Sequence, residues 1–409
     1  MLSTYIRGDF PALGFYRSYL NTALVGLMPA TVRDELVRGV IEYISDPHGK
    51  LRDARLQYAY LKRELTRLLQ SRRPDNITLE MSTTSCIVKA VASLVLHIYK
   101  TRRERARVAL TVHEYPGVVQ AVRSLCESLG YACSSLEFIG REGVPEWEED
   151  AERFIDEGGH IVVASSVEWV TGYRARIGKV GSKARRDGAW LVVDGAQQVG
   201  QLPLDPEASG VDFLCSTTRK WLLDPLGSLG VVHVSDRVLR EDVRPYVFNL
   251  KNSLYSERDY CSPEGRLLGS LALKEDADRF MMINTPPPMS VNSAFHVASY
   301  LNSISLEAVQ DHILGLRKVA EDMLEDAGFS YALQDYSFDS KSGILLVRTG
   351  MKPAREYELC KELERRGVAV SCRGQAGFHG IRISFHIYNN SDDIQVFVEE
   401  LKRLSGGRG

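Results

Sequence analysis

The sequence predicts an α/β fold with a mostly parallel sheet between two helical layers, followed by a smaller α+β unit. In the middle of the 409-residue chain, short apolar runs alternate with polar stretches of helix length. This order is typical of repeated strand–helix–strand units, which build parallel sheets. Several of the runs are apolar on successive residues, as expected of strands that are covered on both faces.

The strand candidates of the larger unit share this apolar character and are Val108–Val112, Ser135–Ile139, Ile161–Ser165, Trp190–Val193, Phe213–Ser216 and Gly230–Val234. Between them, Pro116–Gly130 and Val180–Asp187 have helical patterns. Tyr260–Pro288 has little periodicity and ends in consecutive prolines, which require an extended backbone.

A second unit follows a long helical pattern that begins near Val291. Its predicted elements are a strand at Gly343–Arg348, a helix at Pro353–Arg366, strands at Val368–Ser371 and Ile381–Phe385, and a helix from Ser391. We therefore expect a large domain at residues 31–289 and a small C-terminal domain at 290–409. Residues 1–30 could pack on either of them.

The composition is that of an ordinary soluble protein, with 44% hydrophobic and 25% charged residues. The net charge of −2 provides no general attraction to nucleic acid or to an anionic membrane. The N-terminus has no apolar signal region, and no apolar run is long enough to span a bilayer. The seven cysteines are scattered and none lies in a CxxC pair. We therefore expect neither a metal site nor a disulfide framework, and a reducing cytoplasm fits best.

Two segments carry the functional signal. In the first, Asp194 directly follows the apolar strand candidate that begins at Trp190. Parallel sheets bind ligands at this carboxyl end, although an aspartate there can also cap a turn or a helix. In the second, Lys220 follows another apolar strand and lies among hydroxyls, a tryptophan and an apolar turn. A lysine in a semi-apolar pocket loses proton affinity and becomes a nucleophilic amine, but a lysine at a strand end can also simply extend into solvent.

Together these segments resemble the class V aminotransferase family of fold-type I enzymes that use pyridoxal 5′-phosphate (PLP). The shared pattern is Asp-Gly-Ala and a glycine, then a strand and Lys-Trp-Leu before a proline and a glycine, and further features recur from Tyr19 to Asn390. The family includes cysteine desulfurases, selenocysteine lyases, kynureninases and isopenicillin-N-epimerase-like proteins. The resemblance implies that Lys220 holds PLP as a Schiff base and acts as a base at the substrate Cα, while Asp194 keeps the pyridine nitrogen protonated.

The resemblance also assigns residues to the rest of the cofactor. Gln197 is expected to hydrogen-bond the 3′-oxygen of the ring, with the adjacent Gln198 as the alternative. Thr83 and Thr84 precede a helical run and match the phosphate-binding loop, where hydroxyls and free N–H groups form an anion site. The same residues could be an ordinary helix cap. Ser85 departs from the family, since many relatives have glutamate there.

Further phosphate and ring contacts come from other segments. Thr217 matches a family hydroxyl that contacts phosphate. Arg219 replaces the histidine of many desulfurases and could clamp phosphate or form a structural ion pair. Tyr115 is expected to stack on the ring, with His113 as the alternative and a core-filling role as the other possibility. Trp169 stands where desulfurases carry asparagine, which favours another branch of the family.

The substrate and partner assignments rest on three positions. Arg382 lies within an apolar strand, where a guanidinium needs an anion, and the family arginine at this position binds the substrate α-carboxylate. Arg373 is a second candidate for substrate binding. Asn284-Thr285 occupies the place where relatives reach into the partner's phosphate site, which implies a homodimer with sites at its interface.

The reaction itself is left open between three hypotheses. The first is chemistry at the Cα–H bond, by transamination, epimerisation or β-elimination. The second is a desulfurase or selenocysteine lyase, which needs a cysteine on a mobile loop; Gly374–Ile381 is expected to be a short loop without one, and Cys372 precedes it on a strand. The third is a catalytically idle scaffold. His379, in the short loop, could face the substrate.

Overall fold

The computed structural model describes residues 6–226, 229–249, 252–254, 272–281 and 286–406 of the chain. The first strand, β1 (Ser18–Tyr19), lies outside the central seven-stranded sheet. In chain order the strands of that sheet are β2 (Ile77–Glu80), β3 (Ala106–Thr111), β4 (Cys133–Ile139), β5 (Ile161–Ser165), β6 (Trp190–Asp194), β7 (Phe213–Thr217) and β8 (Gly230–Val234). Their spatial order is β2-β8-β7-β6-β5-β3-β4. The five strands from β7 to β4 are parallel, and β8 and β2 pair antiparallel at one edge.

Helices cover both faces of this sheet, as predicted. Those of the larger unit are α1 (Ala30–Ser45), α2 (Pro47–Leu68), α3 (Thr83–Arg102), α4 (Pro116–Ser128), α5 (Glu148–Asp156), α6 (Ile177–Asp187) and α7 (Asp236–Arg240). In β5, Ile161 and Val163 pack with α3 and α4, whereas Val162 and Ala164 pack into the core on the other face. Side chains alternate along a strand, so burial on both faces requires the continuous apolar runs seen in the sequence.

All six strands predicted for the larger unit are confirmed, and one further strand was not predicted. Strand β2 is short and mixes apolar with polar residues, Ile-Thr-Leu-Glu. It has a partner on one side only, at the edge of the sheet. A run of this composition has no continuous apolar pattern that would predict a strand. Its position in the sheet depends on pairing with β8.

The C-terminal part forms a second, four-stranded antiparallel sheet in the order β12-β13-β10-β9. Its strands and the short β11 are β9 (Ser330–Tyr331), β10 (Ile344–Arg348), β11 (Val368–Ala369), β12 (Ser371–Gln375) and β13 (Phe378–Ser384). The helices of this part are α8 (Pro288–Ile304), α9 (Leu306–Asp326), α10 (Pro353–Arg365) and α11 (Ser391–Ser405). The predicted order of elements is therefore confirmed.

The expected short loop at Gly374–Ile381 is wrong, because most of this segment is a β-hairpin. β12 continues through Gln375, and β13 begins at Phe378. The two turn residues, Ala376 and Gly377, both have positive φ (48° and 84°). Two successive residues of this kind make the tight turn that joins antiparallel strands, and Gly377 adopts such a φ without steric cost.

The N-terminal segment contacts both parts of the molecule. β1 pairs in parallel with β11, and Asn21 bridges to Ser384 in the C-terminal part. A few residues later, the Gly26 N–H donates to the Arg219 carbonyl beside the central sheet (2.9 Å). Helix α8 begins at Pro288, near the expected boundary, and packs against α1 and α2. The division into residues 31–289 and 290–409 stays a prediction.

The expectation of no disulfide is wrong for one pair, since Cys86 and Cys215 are bonded. They lie 129 positions apart, on α3 and β7. Sequence spacing carries no information about such a pair, because packing of the helix on the sheet brings the two residues together. No helix within the described ranges has the length and apolar character needed to cross a membrane.

Candidate active site

A cavity of about 310 Å³ lies at the carboxyl ends of β5, β6 and β7. Parallel sheets form ligand sites at this edge, and the volume is in the range of small-molecule pockets. Every predicted site residue that the structure describes lines this cavity, namely Thr83, Thr84, Tyr115, Asp194, Gln197, Thr217, Arg219, Lys220, Arg373 and Arg382. Asn284 and Thr285 lie outside the described residues.

Lys220 lies in the turn after β7, with its amine in the cavity. Burial lowers the pKa of Lys220 to about 8, while the Asp194 carboxylate opposes that shift. The N-terminal segment packs closely against this turn at Gly26. A Cβ atom on Gly26 would lie only 2.1 Å from the Lys220 carbonyl oxygen. A lysine with this pKa has a substantial neutral fraction near physiological pH, which makes it a competent nucleophile.

Asp194 is the last residue of β6 and is buried. Its Oδ1 accepts a hydrogen bond from the Ala196 N–H (2.8 Å), and Oδ2 accepts none from the described residues. Burial raises the pKa of Asp194, and the Ala196 N–H and the Lys220 charge oppose this. The carboxylate is thus both a turn cap, as the sequence allowed, and a group with one oxygen left for a cation in the cavity.

Gln197 and Gln198 point to different places. The Gln197 side chain lines the cavity, donates to the Ala23 carbonyl (3.1 Å) and accepts from the Trp221 indole N–H (2.8 Å). One amide hydrogen of Gln197 is left for a ligand. The Gln198 amide donates to the Pro203 carbonyl (3.0 Å) and does not line the cavity. Of the two alternatives, the geometry favours Gln197.

The N-terminus of α3 provides free hydrogen-bond donors at the cavity. Thr83 and Thr84 are its first two residues, and neither their N–H groups nor their hydroxyls have partners within the described ranges. Ser82 and Ser85 form a capping box that satisfies the neighbouring groups. The serine that departs from the family pattern therefore caps the helix, and the threonines remain available to an anion.

Two more residues extend this anion site. The Thr217 hydroxyl accepts a hydrogen bond from the Arg219 N–H (3.4 Å) at the end of β7. The Arg219 side chain is exposed at the cavity and has no carboxylate partner in the part of the chain that the structure describes. The structural ion pair considered from the sequence is therefore not formed there.

Tyr115 and Trp169 form one wall of the cavity. Their rings meet edge to face, with centroids 5.6 Å apart. His113, the alternative to Tyr115, is buried, and its Nε2 lies 3.0 and 2.7 Å from the carbonyl oxygens of Arg141 and Val144. His113 is therefore a structural residue, and Tyr115 is the aromatic side chain that can cover a ring in the cavity.

Arg382 and Arg373 enter the cavity from β13 and β12. Arg382 is 2% exposed, and burial lowers its pKa to about 9, with a contribution from Arg373. The possibility that His379 faces the substrate is wrong, because its Nδ1 lies 2.7 Å from a Glu356 carboxylate oxygen on α10. His379 is not among the residues that line the cavity.

Sequence reasoning missed two residues at the cavity, namely Ser165, which lines it, and Glu114, which bonds to Ser165. Glu114 is fully buried, and its Oε1 accepts from the Tyr115 N–H and the Ser165 hydroxyl (both 2.8 Å). Burial and the nearby Asp194 raise the pKa of Glu114 to about 8. Ser165 could have been found as the last residue of a predicted strand. Glu114 had no signal, because a glutamate in a connecting segment is ordinarily exposed.

The residues in the cavity fit PLP. The open Oδ2 of Asp194 suits a protonated ring nitrogen, and Lys220 supplies the amine. The unpartnered donors at the start of α3 suit a phosphate, because a helix N-terminus attracts anions. The three groups line one cavity, so a single ligand can contact all of them.

Comparison with known proteins agrees with this fit. The family model for aminotransferase class-V matches residues 28–397. A probable cysteine desulfurase from Aeropyrum pernix is 26% identical, covering 98% of this chain and 97% of that protein. An uncharacterized aminotransferase, YcbU, from Bacillus subtilis is 22% identical, covering 84% of this chain and 82% of that protein.

Solved structures show the same fold. The apo cysteine desulfurase from Thermococcus onnurineus NA1 superimposes with a TM-score of 0.81 at 19% identity, covering 98% of both chains. The cystine C–S lyase C-DES, in complex with its reaction product cysteine persulfide, gives a TM-score of 0.78 at 18% identity and covers 97% of this chain and 99% of that chain. The family-model match over residues 28–397 shows that the chain belongs to the aminotransferase class-V family of PLP-dependent enzymes.

Proposed function

We propose that the enzyme acts on an α-amino acid at Cα, with Lys220 as the residue that carries PLP and then moves the Cα proton. When bound, PLP withdraws electrons from the substrate Cα. Asp194 would hold the ring nitrogen protonated, and Gln197 would hydrogen-bond the 3′-oxygen. Arg382 would bind the α-carboxylate and so fix the orientation of the substrate.

The observation that supports this proposal best is that Lys220 and Asp194 share one cavity and shift each other's pKa. A lysine with a pKa of about 8 can both attack a carbonyl carbon and accept a proton near neutral pH. Tyr115 and Trp169 would exclude water from one side of the reacting carbon. The phosphate would be held by Thr83, the neighbouring donors of α3, and Thr217.

The test is covalent trapping of PLP on the holoenzyme. Borohydride reduction followed by peptide mapping should place a pyridoxyl group on Lys220, and Lys220→Ala should lose the visible absorbance of bound PLP. Lys89 is a matched control, because it is also a buried lysine with a pKa lowered to about 8, yet it lies outside the cavity. A pyridoxyl group on Lys89, or unchanged colour in Lys220→Ala, would reject the proposal.

A second candidate is cleavage of a carbon–sulfur bond, and the reason to consider it is that relatives across nearly the whole chain are described as cysteine desulfurases. No cysteine is among the residues that line the cavity in the described ranges. Cys372 directly precedes Arg373 on β12. Successive side chains of a strand point to opposite faces, so the Cys372 side chain points away from the face that carries Arg373. We therefore propose that any sulfur released from the substrate leaves by elimination, with no persulfide formed on the enzyme.

Product analysis separates the two candidates. Holoenzyme with cysteine and a thiol should release sulfide if the carbon–sulfur bond breaks, whereas transamination should yield a keto acid without sulfide. Mass spectrometry of the protein after turnover should detect no added sulfur. A persulfide found on any cysteine, whether Cys372 or a cysteine outside the described residues such as Cys261, would contradict the eliminative route and favour a true desulfurase.

The homodimer is part of the same proposal. Asn284-Thr285 would reach the phosphate site of the partner subunit. A physical reason to expect an interface is that α1 carries large apolar side chains in solvent, with Ile41 61% and Ile44 75% exposed. Monomeric proteins seldom expose such neighbouring residues without a partner surface.

A further inference from the structure

Two guanidinium groups reach the cavity from adjacent strands of the small sheet. In the antiparallel pair of β12 and β13, Ser371 lies opposite Arg382. Arg373 follows Ser371 by two positions, so its side chain is on the same face as that of Arg382. Both arginines line the cavity that contains Lys220. The register of one hairpin therefore places two positive charges in a single site.

Neither guanidinium forms an ion pair with a carboxylate among the described residues. Arg382 donates from Nη1 to the Trp169 carbonyl (2.6 Å), and its buried Nε has no partner. Arg373 is half-buried and donates from Nη1 to the carbonyl of its neighbour Cys372 (2.8 Å). Carbonyl oxygens satisfy single N–H groups but do not neutralise the charge, so neither cation has a direct anionic partner there.

The one nearby acid acts on only one of the two arginines. Glu168 attracts Arg382 electrostatically, while its oxygens accept hydrogen bonds from other groups. Its Oε1 accepts from the Val170 N–H (2.8 Å), and its Oε2 accepts from the Thr171 hydroxyl (2.6 Å). Burial also raises the pKa of Glu168, which opposes the charged form. No carboxylate of the described residues acts on Arg373 in this way, so a ligand is the remaining source of negative charge for that arginine.

The charges around the cavity can be assigned one by one. Asp194 is matched to the ring nitrogen, and Arg219 together with the N-terminus of α3 is matched to the phosphate. The substrate α-carboxylate then neutralises one charge of the pair formed by Arg373 and Arg382. If the substrate side chain is neutral, the other arginine keeps an unpaired charge in a half-buried site.

We infer that the substrate is an acidic α-amino acid, with Arg382 binding the α-carboxylate and Arg373 binding an anionic group on the side chain. This inference rests on the proposed function and names its substrate class. Arg373 is the specificity-determining residue. In the competing arrangement both arginines bind one carboxylate, and Arg373, on which no carboxylate of the described residues acts, would share that single anion with a guanidinium that repels it.

The test compares nearly isosteric ligands that differ in charge, α-methyl-aspartate and α-methyl-asparagine. Lacking a Cα hydrogen, they report binding without deprotonation at Cα, through the spectral shift of bound PLP in the holoenzyme. We expect the acidic ligand to bind at least about tenfold more tightly, the effect of one charge-assisted bidentate contact. Equal or weaker binding of the acidic ligand by the wild-type enzyme would overturn the inference.

Variants then assign the contact. Arg373→Gln should weaken the acidic ligand about tenfold or more and leave the neutral ligand within about twofold, whereas Arg382→Gln should weaken both alike. Equal weakening of both ligands by Arg373→Gln would mean a shared carboxylate, and no effect would mean a structural arginine; either result rejects the inference. Arg373→Lys keeps the positive charge but loses the planar guanidinium that can bind two oxygens. It should retain part of the preference for the acidic ligand, and it replaces the glutamine variant if that variant does not fold.

Failure of the underlying function has a different signature. A wild-type protein that takes up no PLP, and shows no pyridoxyl group on Lys220 after reduction, would reject the proposed function before any ligand is compared. A protein that carries PLP on Lys220 and prefers the neutral ligand would reject only the assignment of the acidic substrate.

Discussion

At the scale of single residues, burial changes the proton affinity of the groups that the chemistry needs. The pKa of Lys220 is lowered to about 8, and that of Glu114 is raised to about 8, for the same reason. A low-dielectric surrounding disfavours the charged form of an amine and of a carboxylate alike. The Asp194 carboxylate acts on both groups, because it opposes the pKa shift of Lys220 and adds to the pKa shift of Glu114.

We predict that the rate of PLP attachment to the apoprotein follows deprotonation of Lys220. The neutral amine is the nucleophile, so the rate should rise about tenfold per pH unit below pH 8 and level off above it. Absorbance after mixing with PLP measures this rate. In Asp194→Asn the midpoint should move to lower pH, because the carboxylate that raises the lysine pKa is removed. A wild-type midpoint near pH 10 would contradict the prediction.

The resemblance to the family assigned most of the candidate site residues, because its motif lies in two short segments. Asp194 ends one apolar strand and Lys220 lies in the turn after another, and both strand ends lie at the cavity. The possibility raised for His379 fails because the assumed loop is a hairpin and the His379 side chain pairs with Glu356. A side chain's partner on another element cannot be deduced from its own neighbours in sequence.

At the scale of elements, a covalent link joins the helix that begins at the anion site to the strand that leads to the lysine. Cys86 lies in the first turn of α3, and Cys215 lies in the middle of β7. The bond closes a loop of 129 positions, and cross-links that close long loops restrict the unfolded chain most. The link therefore stabilises the folded state as a whole, and it joins two elements that build the site.

We predict that removing this bond destabilises the protein by about 2–5 kcal/mol, through the unfolded chain. Cys86→Ala should lower the melting temperature, measured without reductant. Cys126→Ala is the control, because Cys126 is a buried cysteine without a disulfide. Alkylation of the unfolded, unreduced chain should leave two cysteines unmodified. Modification of all seven would show that the bond is absent in solution.

At the scale of the whole molecule, the exposed apolar side chains of α1 indicate a surface that another protein molecule could cover. Val37, Ile41 and Ile44 follow one another at about one helical turn each, so their side chains lie on the same face of the helix. Burial of such groups against a second copy would remove apolar area from water at about 25 cal/mol per Å².

We predict that the wild-type protein is a dimer and that Ile41→Glu shifts it toward monomer. A charge placed in an apolar interface must be desolvated without a partner, which costs several kcal/mol. Sedimentation velocity over a range of concentrations measures the shift. Tyr357→Glu is the control, since Tyr357 is similarly exposed on α10. A wild-type monomer at all concentrations would contradict the prediction.

The sequence by itself determined the α/β class and the order of the elements, and its resemblance to the family singled out the candidate lysine and carboxylate. These features depend on local information. The apolar residues of a strand show that it is buried, and the residues directly after it show where it ends. The edge strand β2 was not predicted, because its short sequence mixes apolar and polar residues and does not indicate that the strand is buried.

Only the tertiary structure decided which distant residues meet. The pairing of Cys86 with Cys215, and the selection of Gln197 over Gln198, depend on packing between separate elements. The common face of Arg373 and Arg382 depends on the register of one hairpin, where a slip of one residue would turn one of the side chains away. Such contacts are set by the three-dimensional arrangement of the chain, and for that reason no local pattern contains them.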